Sequence, residues 1–247
     1  MTRFLTLTIN LHLAMIPVLL LLAWLDPREL AGANVWWKPV KFFVSVTLYL
    51  MTVRYLLQWT TGRARSWIGY GIAVTMTGEN AAVSGQAWRG VPSHFNEASP
   101  FDGLVFALMG VLILINTLLL AWLFVWHCRN RVPTGPGQRW GIRWGIFATL
   151  FASAIGGLMI AYQGHTIGAP DGGTGLPFLN WSSRAGDLRI AHFVGMHGLQ
   201  LLPLLGWAVD WSGSPRGWLL VAVAALAYLL VTGLLMLQAL GGKPLVA

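Results

Sequence analysis

The sequence predicts an all-α integral membrane protein: a seven-transmembrane helix bundle with its N-terminus cytoplasmic and its C-terminus outside. Three observations carry this. Charged residues make up 10% of the chain and hydrophobic ones 56%, with a mean hydropathy of +0.64, whereas a soluble domain carries about 25% charged residues. Seven apolar stretches of about 20 residues recur, each long enough for a hydrocarbon core of about 30 Å. The arginines collect in alternate connections, as the positive-inside rule requires. One transmembrane domain, residues 1–247, leaves no room for a sizeable soluble one.

The first stretch, 4–25, follows Arg3 and resembles a signal peptide. No small-x-small cleavage site precedes Asp26, so it reads as a span. The second, 38–59, begins with Lys38 and Lys41 and ends near Arg54. After the short loop TTGRARS comes the third, 67–88, rich in Gly and Ala, which permits close helix approach. The fourth, 102–126, is strongly apolar apart from Asn116. A basic connection, HCRNRVPTGPGQRWGIR, leads to the fifth, 142–162, which carries Gly145, Ala148, Ala152, Ser153, Gly156 and Gly157. Those small residues again predict tight helix contact.

The long loop 163–187 is expected to fold back over the bundle, because it mixes Gly and Pro with apolar residues. Its DGGTG segment reads as turns, since no strand precedes it and no GK[ST] follows. The sixth span, 188–209, carries His192, His197 and Gln200. The seventh, 218–240, is nearly pure Leu, Val and Ala, a structural wall.

Orientation follows from the loops. One side collects Arg3, Arg63, Arg65, Arg129, Arg131, Arg139, Arg143 and Arg216. On the other, Arg28, Lys38, Arg89, Arg184 and Arg189 are offset by Asp26, Glu29, Glu97, Asp102, Asp171 and Asp187. The arginine-rich side is cytoplasmic, and the expected location is the plasma (inner) membrane, multi-pass. The net charge of +8 is thus a topology signal, and nucleic acid is not an expected partner. Tryptophans at segment ends, such as Trp24, Trp59, Trp67, Trp126 and Trp211, form the aromatic belts of a protein whose immediate partner is membrane lipid.

The third span carries the least expected chemistry. Thr75, Glu79, Ala82, Gln86 and Arg89 recur at spacings of four and three, which places them on one stripe of a helix. A mid-span carboxylate is costly in lipid, so the stripe faces the bundle interior or a watery cavity. Glu79, Arg89 and Gln86 are the candidate catalytic groups. By predicted depth His94, His165, His192, His197, Lys38 and Lys41 share the outer half and converge on one outer cavity, as a cofactor-binding set.

Imidazoles ligate Zn, Cu and Fe, and two from separate helices hold a haem iron axially. His94, His165, His192 and His197 are therefore the candidate ligands of haem b or a Cu, Fe or Zn ion. His192 and His197 stand about 140° apart on a helix, so they serve different sites if both bind metal. Arg89, Lys38 and Lys41 suit an anionic group such as a propionate. The first expectation is a membrane oxidoreductase or electron-transfer protein, working with a quinone or a redox partner protein. No CxxCH, HExxH or histidine-box motif accompanies it. The alternatives are a small proton-coupled transporter using Glu79 and a non-catalytic membrane subunit. The single cysteine, Cys128, excludes intrachain disulfides and multi-thiolate sites. A retinal Schiff base is set aside, because the seventh span holds no lysine and Lys243 lies beyond it.

Overall fold

The computed structural model describes residues 1–172, 175–176 and 178–246. Among these, seven α-helices appear: α1 (Thr2–Leu25), α2 (Trp37–Leu56), α3 (Gly62–Arg89), α4 (Pro100–Arg129), α5 (Pro136–Ala161), α6 (Leu188–Trp211) and α7 (Gly217–Leu240). Two short antiparallel hairpins join them, β1 (Glu29–Leu30) with β2 (Ala33–Asn34) and β3 (Thr166–Ile167) with β4 (Gly186–Asp187). α1, α4, α5 and α7 are long and apolar enough to cross a membrane, which makes the chain a multi-pass membrane protein. Large apolar side chains stand exposed on them, including Leu7, Leu118 and Leu230, where lipid rather than water is the favourable neighbour.

Two helices begin ahead of their apolar stretches. α3 begins at Gly62, so TTGRARS is mostly helix rather than loop. α5 begins at Pro136, a residue whose fixed φ and missing N–H suit the first helical turn. Hydropathy marks where a span is greasy. It does not mark where hydrogen bonding starts.

The chain divides into two compact units, Met1–Leu119 and Leu120–Ala247, with the boundary inside α4. In the first, α1, α2 and α3 pack together, and Leu19, Val35, Trp36, Val40, Phe43 and Ala87 form a core where α1 ends and α2 begins. The α1–α2 connection is locked by Asp26. Its carboxylate accepts from Arg28 Nη2 at 2.7 Å and from the Trp36 indole at 2.8 Å, while Arg28 Nη1 donates to Trp88 O on α3 at 3.0 Å. The α4 residue Asn116 accepts from the Tyr49 hydroxyl at 3.2 Å, which satisfies the polar interruption of the fourth span.

The second unit is organised by α5 against α6. A Cβ added at Gly141 would lie 2.2 Å from Leu202 O, and one at Gly206 would lie 2.4 Å from Gly137 O. Backbone therefore touches backbone, and only glycine fits. Of the small residues expected to pack, Gly145, Ala148 and Ala152 lie in this seam, whereas a Cβ at Gly157 meets nothing within 4 Å. Asp210, at the end of α6, accepts from the Gly137 and Gln138 backbone N–H groups at 2.8 and 2.7 Å. A carboxylate thus caps the positive end of α5.

The long loop returns onto its unit as expected. Gly186 is pressed against the last turn of α7, where a Cβ would lie 1.9 Å from Ala239 O, and Ile167 joins the Ala239 cluster. The DGGTG segment includes residues 173 and 174, which lie outside the described residues.

Candidate functional site

α3 carries the stripe as its spacing requires. Thr75, Glu79 and Gln86 are buried, Ala82 is half-buried, and Arg89 emerges at the end of the helix. Gly90 stops the helix there in a left-handed conformation, with φ of 73°, and Val91 N closes back onto Gln86 O at 3.1 Å. The chain then turns through Ser93, His94 and Phe95 into α4, which brings Asp102 back against α3.

Two groups of polar side chains result. In one, Gln86 Nε2 donates to Asp102 Oδ1 at 2.9 Å, Arg89 donates to Gln86 Oε1 at 2.5 Å and forms an ion pair with Asp102, and Ser99 Oγ donates to Asp102 Oδ2 at 2.5 Å. The Arg89 guanidinium also lies 4.8 Å from the Phe101 ring centre. Asp102 was legible in the sequence only as a loop charge, yet it is the hub of this network. It also matches the Arg89 charge internally.

In the other group, Lys38 Nζ approaches His94 Nδ1 at 3.3 Å, and Ser93 Oγ lies 3.1 Å from the same nitrogen. An ammonium only donates, so Nδ1 accepts and the ring proton sits on Nε2. Phe42, Phe95 and Phe106 surround the imidazole, with ring centres 5.9 to 6.2 Å away. Lys38 is also within electrostatic reach of Glu79. Lys41 is half-buried one turn further along α2.

Glu79 itself is 2% exposed, and its Oε1 has no donor among the described residues. Its neighbour Asn80 is 1% exposed, and neither amide atom is bonded among the described residues. His12 is equally buried. Its Nδ1 lies 2.7 Å from Thr8 O, so that nitrogen carries the proton, and Nε2 is left as an unbonded acceptor. The bond to Thr8 stays within its own helix, one turn back along α1. Asn80 escaped the sequence reading because it lies off the stripe that Glu79 defines.

No family model, curated protein or solved structure matches this chain.

The remaining histidines belong to the second unit and differ in setting. His165 Nδ1 pairs with Asp171 Oδ1 at 2.9 Å, and Asp171 also accepts from the Thr166 backbone at 2.8 Å. His192 Nδ1 donates to Ala152 O at 2.8 Å, which fixes the lone pair on Nε2. His197 packs edge-on against Phe193, with ring centres 4.3 Å apart. Among the described residues, no three His, Cys, Asp or Glu groups converge as a metal site. The expected set thus falls in both units. Lys38, Lys41, Glu79, Gln86, Arg89 and His94 belong to the first, and His165, His192 and His197 to the second.

Proposed function

We propose that the chain crosses the plasma membrane seven times, with a cytoplasmic N-terminus and an outer C-terminus, and acts as a small proton-coupled transporter in which Glu79 carries the proton. The observation that carries this reading is the Glu79 carboxylate, buried beside Asn80 with its Oε1 unbonded among the described residues. A purely structural carboxylate in such a place is held by donors, because an unpaired buried charge is expensive. A carboxylate left partly unpaired is easily neutralised by a proton and recharged when the proton leaves. His94, hydrogen-bonded to Lys38 in the same unit, offers a second group able to exchange a proton. Since Asp102 already neutralises Arg89, anionic cargo is better served by Lys38.

Infrared difference spectroscopy during a pH titration tests this without knowledge of the cargo. The carbonyl stretch of a protonated carboxylic acid should appear in the wild-type protein and vanish in Glu79→Gln. If the band persists unchanged in that variant, the proton carrier is not Glu79.

A second reading rests on His192, whose Nδ1–carbonyl bond is the support that a metal-ligating imidazole uses. Under it the protein is a membrane oxidoreductase holding haem b or a Cu, Fe or Zn ion, served by a quinone or a redox partner protein. Oxidised and reduced visible spectra of the purified protein, with elemental analysis, decide between the two. A Soret band lost in His192→Ala favours the redox reading, and a colourless, metal-free protein that still moves protons favours the transporter.

A further inference from the structure

At the end of the first unit opposite Arg89, the helices part. α1, the last turn of α2 and the first turn of α3 enclose a cleft of about 430 Å³, within the range of small-ligand sites. On α2, Met51, Arg54, Tyr55 and Gln58 face it, which the spacing of three and four residues requires of one helix face. α3 contributes Arg65, and α1 contributes Ile9.

The cleft is polarised along the helix axes. Arg54 and Arg65, with the Tyr55 hydroxyl and the Gln58 amide, lie towards the helix ends. Met51 lies a turn further into α2, and Ile9 about two turns into α1 from the helix start. Beyond Met51, the exposed side chains of Leu48 and Val44 continue the apolar face along α2.

Neither arginine pairs with a carboxylate among the described residues, whose ion pairs all lie elsewhere. Arg65 Nη2 reaches Thr2 Oγ1 at 3.5 Å, which steadies the guanidinium, while its Nε is buried with no acceptor. The positive-inside rule accounts for basic residues at this end of the unit. It does not account for two of them meeting in a concavity, nor for a buried guanidinium donor left without an acceptor.

We propose that this cleft binds the phosphate headgroup of an anionic phospholipid, with an acyl chain lying along Met51 and Ile9. Two guanidinium forks match a phosphate's oxygens bidentately, and Gln58 adds an amide to the same lining. A free phosphate would use the cationic half and leave the apolar half idle. The cleft is distinct from the Glu79 site and does not depend on its reading.

The test is native mass spectrometry of the full chain in a neutral detergent, titrated with phosphatidylglycerol, with phosphatidylcholine and inorganic phosphate as comparison arms. One phosphatidylglycerol should bind per chain, at least about tenfold more tightly than phosphatidylcholine, and equimolar inorganic phosphate should not displace it. Arg65→Gln and Arg54→Gln should each weaken binding by about tenfold. Arg54 is exposed and forms no ion pair among the described residues, so its variant is expected to keep the fold. Arg63→Gln, exposed and outside the cleft, should bind like the wild type. Equal losses in Arg63→Gln would show general surface charge, equal binding of both lipids would show annular lipid only, and displacement by inorganic phosphate would show a free-phosphate site. Each of these overturns the proposal.

Discussion

Buried polar atoms without partners mark individual residues of this chain where stability has been given up. An unsatisfied amide costs about 1–3 kcal/mol, and Asn80 carries two unbonded atoms at 1% exposure. Asn80→Leu, close in volume, is therefore expected to stabilise the detergent-solubilised protein by roughly 1–2 kcal/mol, read as a raised thermal midpoint. The same variant should slow proton movement if Asn80 serves Glu79, a trade of activity for stability. A lowered midpoint would mean that Asn80 has a structural partner. The sequence points to Glu79 because a mid-span carboxylate violates the solvent rule of the membrane. It does not point to Asp102, whose position beside the helix start made it look like an ordinary loop charge. Its role depends on the chain reversing through Ser93 to Pro100, a tertiary fact that spacing along one helix does not encode.

At the scale of elements, the α5–α6 seam has the least tolerance. Gly141→Ala puts a methyl group where Leu202 O already sits, and such overpacking costs about 1–3 kcal/mol. Gly157→Ala meets open space on the same helix and should instead gain about 0.5–1 kcal/mol from helix propensity. Thermal unfolding of the two variants side by side checks the contrast; similar shifts would mean that the helices are not in backbone contact. Asp210→Ala removes the cap from α5 and should cost about 0.5–2 kcal/mol. The small residues of the fifth stretch were readable as a packing surface. Which of them faced α6 was not, because a stripe of glycines and alanines has no apolar contrast to show its direction.

For the whole molecule, acid stability follows from two carboxylates outside the helices. The Arg28 guanidinium and then the Trp36 indole hold Asp26 below the usual carboxylate range. Burial pushes Asp187 upwards, but the Arg189 guanidinium and the Ser182 and Arg189 backbone N–H groups outweigh it and hold this carboxyl low as well. Both groups are depressed in the folded state. Their contribution is therefore complete above the unfolded value, near pH 4, and is lost as pH falls below it. Asp187→Asn should cost roughly 3 kcal/mol at neutral pH and flatten the acid limb below about pH 4. An unchanged limb would show that Asp187 is not among the groups responsible.

Topology can be tested with the native thiol. Cys128 is exposed near the end of α4 and is the chain's single cysteine. A membrane-impermeant maleimide should label it in inside-out vesicles and spare it in right-side-out ones. The reverse pattern would invert the proposed orientation. Hydropathy and loop charge made seven helices readable, but a division of the chain inside the continuous α4 leaves no trace in either.

Where α5 and α6 meet, carbonyl lies against carbonyl-bearing backbone at Gly137, Gly141 and Gly206, with no layer of side chains between them. Helices that slide past one another do so by letting side chains hop between rotamers while the axes stay apart. At these glycines the pair has no such layer, so sliding there would drive backbone into backbone, and the two helices are expected to move together. Any cycle of motion that the second unit undergoes has to treat α5 and α6 as one rigid lever.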